Sequence, residues 1–212
     1  RLRASGLTPA IIGVSLGLFG LLSGTLGIQP ERISALLAAL LLLACLSIPW
    51  LAMASTPVRV TGPSAAAQID PRQIDKSVSM GVSMSVSIRL GTCLALVILT
   101  PILCSTSQGI ALSALIGAAL MLSTRSIRSR VEVLIGVLSG MAVLAWAAYA
   151  AALQSATSLL LVLVTSLTGS LLVLATNVVT PKTRPWLSRT ADTISTLVII
   201  AVPPFALYMW GM

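Results

Sequence analysis

Three cysteines, five carboxylates and no histidine are the whole supply from which this chain could build an acid–base, nucleophilic or metal site. Zinc binding and general acid–base catalysis both need several such groups converging on one point. Cys45 and Cys93 lie within apolar stretches and Cys104 near the end of one, with no CxxC pair. A thiol in that setting is first a small hydrophobe, and three cysteines make neither a disulfide framework nor a ligand set. Asp70 and Asp75 fall in the longest polar connection, while Glu31, Glu132 and Asp192 stand at the starts of apolar stretches. Helix-terminus charge and local pairing account for an acid at such a start. No GxxxxGK[ST] loop and no Rossmann-type glycine repeat occurs, so nucleotide hydrolysis and dinucleotide binding have no support. The chain reads as no enzyme, with no catalytic residue, no metal ligand and no cofactor.

The elements that would position these residues are membrane spans. Of the 212 residues, 57% are hydrophobic and 8% charged, against about 25% charged in a soluble domain. About 20 apolar residues in a helix cross the hydrocarbon core, and a helix satisfies its own backbone there. The expected fold class is therefore an all-α, polytopic transmembrane helix bundle of seven spans. These run over 8–27, 33–53, 90–107, 109–124, 131–152, 157–179 and 190–210, in a single domain covering 1–212, with a cytoplasmic loop over 54–87. The Ser/Met run 77–87 reads equally as an interfacial helix or as an early extension of the third span. The pair 90–124 is short for two crossings, and a re-entrant hairpin would return the chain to the same side. Pro203 and Pro204 should end or kink the last helix.

Basic residues orient the bundle. Twelve of the thirteen lie on alternate connections: Arg1 and Arg3; Arg59, Arg72, Lys76 and Arg89; Arg125, Arg128 and Arg130; Lys182, Arg184 and Arg189. Arg32, beside Glu31, is the exception. The positive-inside rule makes the shared side cytoplasmic, so the chain starts inside and ends outside an inner (plasma) membrane. The formal charge of +8 then serves orientation and anionic lipid headgroups, and no nucleic-acid partner is expected. Arg72, Lys76, Arg89, Arg125, Arg128, Arg130, Lys182, Arg184 and Arg189 are the candidate contacts for cytoplasmic partners or lipids.

Candidate helix-packing residues are the small-xxx-small pairs Gly13–Gly17, Gly20–Gly24 and Gly136–Gly140, which permit close backbone approach, and Asn177, which can hydrogen-bond between helices. Acidic or basic groups at mid-bilayer, the usual mark of a transporter, are missing from the expected span interiors. A stand-alone solute permease remains the alternative. It would need an uncharged site made from residues such as Thr165, Thr168, Thr176 and Asn177.

Three stretches carry a family resemblance. They are Ile48-Pro49-Trp50-Leu51-Ala52-Met53 leading into the polar connection, the run from Leu122 to Arg130 entering the fifth span, and the Pro181–Leu187 connector with Arg189-Thr190-Ala191-Asp192 before a span holding Pro203-Pro204-Phe205-Ala206-Leu207-Tyr208. In order and spacing the whole chain resembles the membrane portion of EccD, the polytopic subunit of actinobacterial type VII (ESX) secretion systems. The resemblance implies the last seven of eleven membrane helices behind a ubiquitin-like cytoplasmic domain. It implies a non-enzymatic scaffold that pairs with a second copy of itself around a lipid-occupied space. EccB-like, EccC-like (ATPase) and EccE-like subunits would be its companions, and the ATPase would supply the energy for protein export.

Overall fold

The computed structural model describes residues 7–27, 29–55, 71–124, 129–154, 160, 162–164, 167 and 184–211. Its principal elements are six helices: α1 (Leu7–Leu26), α2 (Pro30–Ser55), α3 (Pro71–Leu103), α4 (Ser107–Ser123), α5 (Arg130–Gln154) and α6 (Arg184–Gly211). The chain is an all-α, multi-span membrane-helix bundle. Five of the helices are long and apolar enough to cross a bilayer, and α4, at 17 residues, is a shorter apolar helix. The expected span 157–179 lies almost wholly outside the described residues.

Local chemistry sets the helix ends. Gly27 adopts φ +59 directly after α1, a conformation glycine takes without the Cβ penalty that other residues carry. Pro30 opens α2, where its missing N–H is no loss, and the Gln29 carbonyl accepts from the amides of Arg32 and Ile33. Thr106 caps α4 by accepting the Gly109 amide at 3.1 Å. The turn before it is so tight that a Cβ at Gly109 would overlap the Leu103 carbonyl. At the far end of α5 the Gln154 amide donates to the carbonyls of Cys104 and Ser105, at 3.1 and 3.2 Å, satisfying groups that the end of α3 leaves open.

Packing centres on α3 and α4. Helix α3 lies against α1, α2 and α5, while α4 lies against α5, α6 and α2. The core joins Leu42 and Cys45 of α2, Leu96 and Leu99 of α3, Leu112 and Ile116 of α4, and Val202 and Ala206 of α6. A second cluster joins Ile110, Ala114 and Met121 of α4 to Leu144, Ala147 and Ala151 of α5. The outer faces are apolar too: Val14, Leu21, Leu134, Leu138, Leu153, Leu197 and Ile200 are exposed. Water tolerates a surface of that kind poorly, whereas lipid chains solvate it.

Two expectations require correction here. The loop expected over 54–87 gives way to helix from Pro71 onward, because α3 runs unbroken through the Ser/Met stretch into the apolar segment. Serine and methionine at helical spacing propagate a helix without making it look like a span. Residues 56–70 lie outside those described. Pro203 and Pro204 do not end α6, which continues to Gly211. Each forfeits one helix hydrogen bond, and membrane helices tolerate such positions because neighbouring groups and local adjustment satisfy the freed carbonyls. Arg32 is tied down as well as exceptional: its Nη1 donates to the Trp210 carbonyl at 3.2 Å, joining the start of α2 to the end of α6.

Candidate functional site

Two glycines decide how closely α4 and α5 approach. A Cβ on Gly140 would come within 2.7 Å of Met121 Cγ and 3.1 Å of the Gly117 carbonyl, and one on Gly117 would meet Leu144 Cγ at 2.8 Å. The helices therefore cross backbone to backbone, as small residues allow. Gly91 serves α3 in the same way against α1, where a Cβ would lie 3.1 Å from the Thr8 carbonyl. Thr8 Oγ1 reinforces that contact by donating to the Ser87 carbonyl at 3.0 Å.

One α5 turn from Gly140, the crossing opens into a polar junction. Gly136 faces Thr124 Cγ2, 2.6 Å from where its Cβ would be, and Arg89 Nη2, 3.2 Å from the same point. Arg89 comes from α3 and is 3% exposed. Its Nη2 donates to Ser123 Oγ at 3.1 Å, while its Nε is buried with no hydrogen-bond partner. Ser123 itself donates to the Leu120 carbonyl, and Thr124 Oγ1 to that of Met121, so both α4 hydroxyls are anchored by their own helix. Glu132, four residues before Gly136, is also buried at 9% exposure. The guanidinium thus occupies a slot that exists because residue 136 has no side chain.

Deeper along the same contact lie Thr92 and Cys93 of α3, Cys45 of α2 and Ser139 of α5. Cys45 and Cys93 are mutual neighbours, Thr92 lies beside Cys45 and Ser139 beside Cys93. Thr92 and Ser139 also return hydrogen bonds to carbonyls of their own helices. Cys104 stands apart and donates to Ser113 Oγ at 3.2 Å. All three cysteines are free and buried. Among the described residues no group of three or more His, Cys, Asp or Glu could hold a metal ion. The arrangement can hold helices and a charge in place; among the described residues it offers no nucleophile–base pair.

The residues singled out from the sequence distribute unevenly. Arg89, read as a connection residue open to partners or lipid, is instead an interior residue of α3. The helix carries it into the slot beside Gly136. Gly13, Gly17, Gly20 and Gly24 were expected to pack helices, yet a Cβ at any of them would meet nothing within 4 Å. They lie on a helix almost none of which is buried. Gly136 and Gly140 make the close contacts just described. Arg130 stands at the first turn of α5. Arg72 and Lys76 belong to the first turns of α3, and Arg184 and Arg189 to those of α6. Arg125, Arg128, Lys182 and Asn177 lie outside the described residues. Sequence reasoning passed over Gly91, Gly117 and Gln154. Gly117 sits in an Ile-Gly-Ala-Ala context whose small residues were a usable signal; nothing in the sequence points to Gln154 as a cap.

None of the curated proteins compared with the chain matches it. A family model described as the EccD-like transmembrane domain matches residues 2–212. That span takes in the buried junction, the glycine crossing and the six helices described above. Such domains are structural membrane components without catalytic function, which accords with a site built from packing glycines and the buried Arg89 and Glu132. The chain belongs to the EccD-like transmembrane-domain family.

Proposed function

We propose that this chain is a structural membrane core component of a type VII protein secretion machine. In this reading it pairs with a second copy to form a membrane vestibule, and it holds EccB-like, EccC-like (ATPase) and EccE-like subunits during export. The observation that carries the reading is the family match over residues 2–212. Among the described residues, the close Leu, Ala and Gly contacts between helices support a scaffold better than a solute path. The proposed topology has seven crossings, with α4 as one of them. Supporting this, helix α4 lies antiparallel to α5, from Ser105 beside Gln154 to Thr124 beside Gly136, and so runs along about two thirds of that 25-residue helix.

Residues 54–87 and 125–130, with the basic connector 182–189, form the proposed cytoplasmic face that meets partners and headgroups. Long connections at one end of a rigid bundle are where recognition concentrates, and guanidinium forks suit carboxylates and phosphates.

The test is a mass-spectrometric inventory of the complex released gently from native membrane. Two copies of the polypeptide per ATPase subunit, with the other companions present, is the expected result. A homogeneous protein lacking them under several mild extractions, and showing saturable solute uptake, would move the assignment to a permease.

A further inference from the structure

A guanidinium taken out of water needs hydrogen bonds and a compensating charge. Arg89 has one bond, to a neutral hydroxyl, and a buried Nε without a partner. The acid placed to compensate it is Glu132, one turn from Gly136 on the α5 face that the guanidinium touches, and itself buried. Both groups lie close enough to Cys45 to act on it electrostatically. The start of α5 at Arg130 also favours an anion in its first turn, where Glu132 stands.

We infer that Arg89 and Glu132 are a compensating charge pair that locks α3 to the α4–α5 turn. The pair sets how the first turn of α5 stands against α3. Both are positioning residues. They act through Ser123 and Thr124, at the end of α4, and through the first turn of α5. The inference stands apart from the secretion reading, since any bundle of this sequence would use the pair, and its failure would leave family membership untouched.

A simpler role for Glu132 exists. Ser129-Arg130-Val131-Glu132 has the spacing of a capping box, and the Ser129 carbonyl accepts the Val133 amide at 3.1 Å, as an N-cap carbonyl does. A capping box accepts glutamine as readily as glutamate, so Glu132→Gln separates the two roles. The variants are made in the full polypeptide that carries this chain, and its thermal midpoint is followed in mild detergent. Arg89→Gln and Glu132→Gln are each expected to lower the midpoint. The double variant should lie well above the summed losses, because removing one partner strands the other charge and removing both strands none.

Limited trypsin digestion reads the positioning itself. Cleavage at Arg125, Arg128 and Arg130 should rise several-fold in each single variant and fall back in the double, with cleavage at Lys182 and Arg189 unchanged. A Glu132→Gln protein with the parent midpoint, or losses that simply add, would overturn the pair. Where a single variant fails to accumulate, the charge swap Arg89→Glu with Glu132→Arg decides: recovered membrane abundance supports the pair, and abundance no better than the single variants overturns it.

Discussion

Gly136, Gly140 and Gly117 show what one missing side chain does in a membrane core. In lipid no hydrophobic force pulls apolar helices together, so backbone proximity and dispersion must hold them. A methyl at residue 140 would enter the space of Met121 Cγ and the Gly117 carbonyl, and the carbonyl cannot move aside. Gly140→Ala should therefore cost about 1–3 kcal/mol, as overpacking usually does, read as a lowered thermal midpoint in detergent. Gly17→Ala, on a face with nothing within 4 Å, should leave that midpoint unchanged or slightly raised, since alanine is the better helix former. Equal losses at the two positions would show that α1 is packed more closely than described. The two motifs have the same spacing, which is why sequence could not rank them: GxxxG states that a helix can approach a neighbour, and only the fold states whether one is there. Arg89 misleads in the opposite way. An arginine ahead of an apolar run reads as punctuation between spans, and nothing in its neighbours announces that a glycine 47 positions later makes room for it.

At the scale of elements, two apolar stretches read from hydropathy coincide with helices to within a few residues. The first expected span, 8–27, became Leu7–Leu26, and the fifth, 131–152, became Arg130–Gln154. Hydropathy failed over 71–76, where Pro71 and the polar Arg72, Gln73, Asp75 and Lys76 read as loop although Pro71 opens a helix; over 77–87, of the two readings left open, the early extension of the third span is the one the helix takes. The α2–α3 contact offers a direct check on the helix pairing. Cys45 and Cys93 are neighbours there, while Cys104 is remote and hydrogen-bonded to Ser113. A membrane-permeant thiol oxidant such as diamide should join Cys45 to Cys93, with loss of two hydrogens to the reagent and one disulfide-linked peptide pair in the digest. Cys104 should remain alkylatable after unfolding. A Cys45–Cys104 or Cys93–Cys104 link as the main product would contradict this packing.

For the whole molecule, the charge pattern gives a topology that labelling can test. Single cysteines placed at Ser126 and Ser188, in a background without the native ones, should react with a membrane-impermeant thiol reagent only from the cytoplasmic side. One placed at Gln29 should react only from the other. Reaction of Ser126 and Ser188 from opposite sides would break the alternation and with it the orientation. Charge removal has a separate expected outcome. Replacing Arg125, Arg128 and Arg130 together with glutamine should reduce recovery of companion subunits while the labelling pattern persists, because nine other basic residues still mark that side. Intact assembly in that variant would remove the connector from the docking surface.

The length of α3 has one more consequence. The helix has 33 residues, and about 22 of them cross a hydrocarbon core at a modest tilt, so roughly 11 residues at its start continue the same rod beyond the apolar segment. At 1.5 Å per residue this amounts to a stand-off of about 16 Å, with a fixed azimuth as well as a fixed height. Whatever seats on the tip is presented like a gear tooth on a shaft. Four extra residues would raise it by about 6 Å and rotate it by about 40°, whereas seven would raise it further yet bring it back to within about 20° of its original bearing.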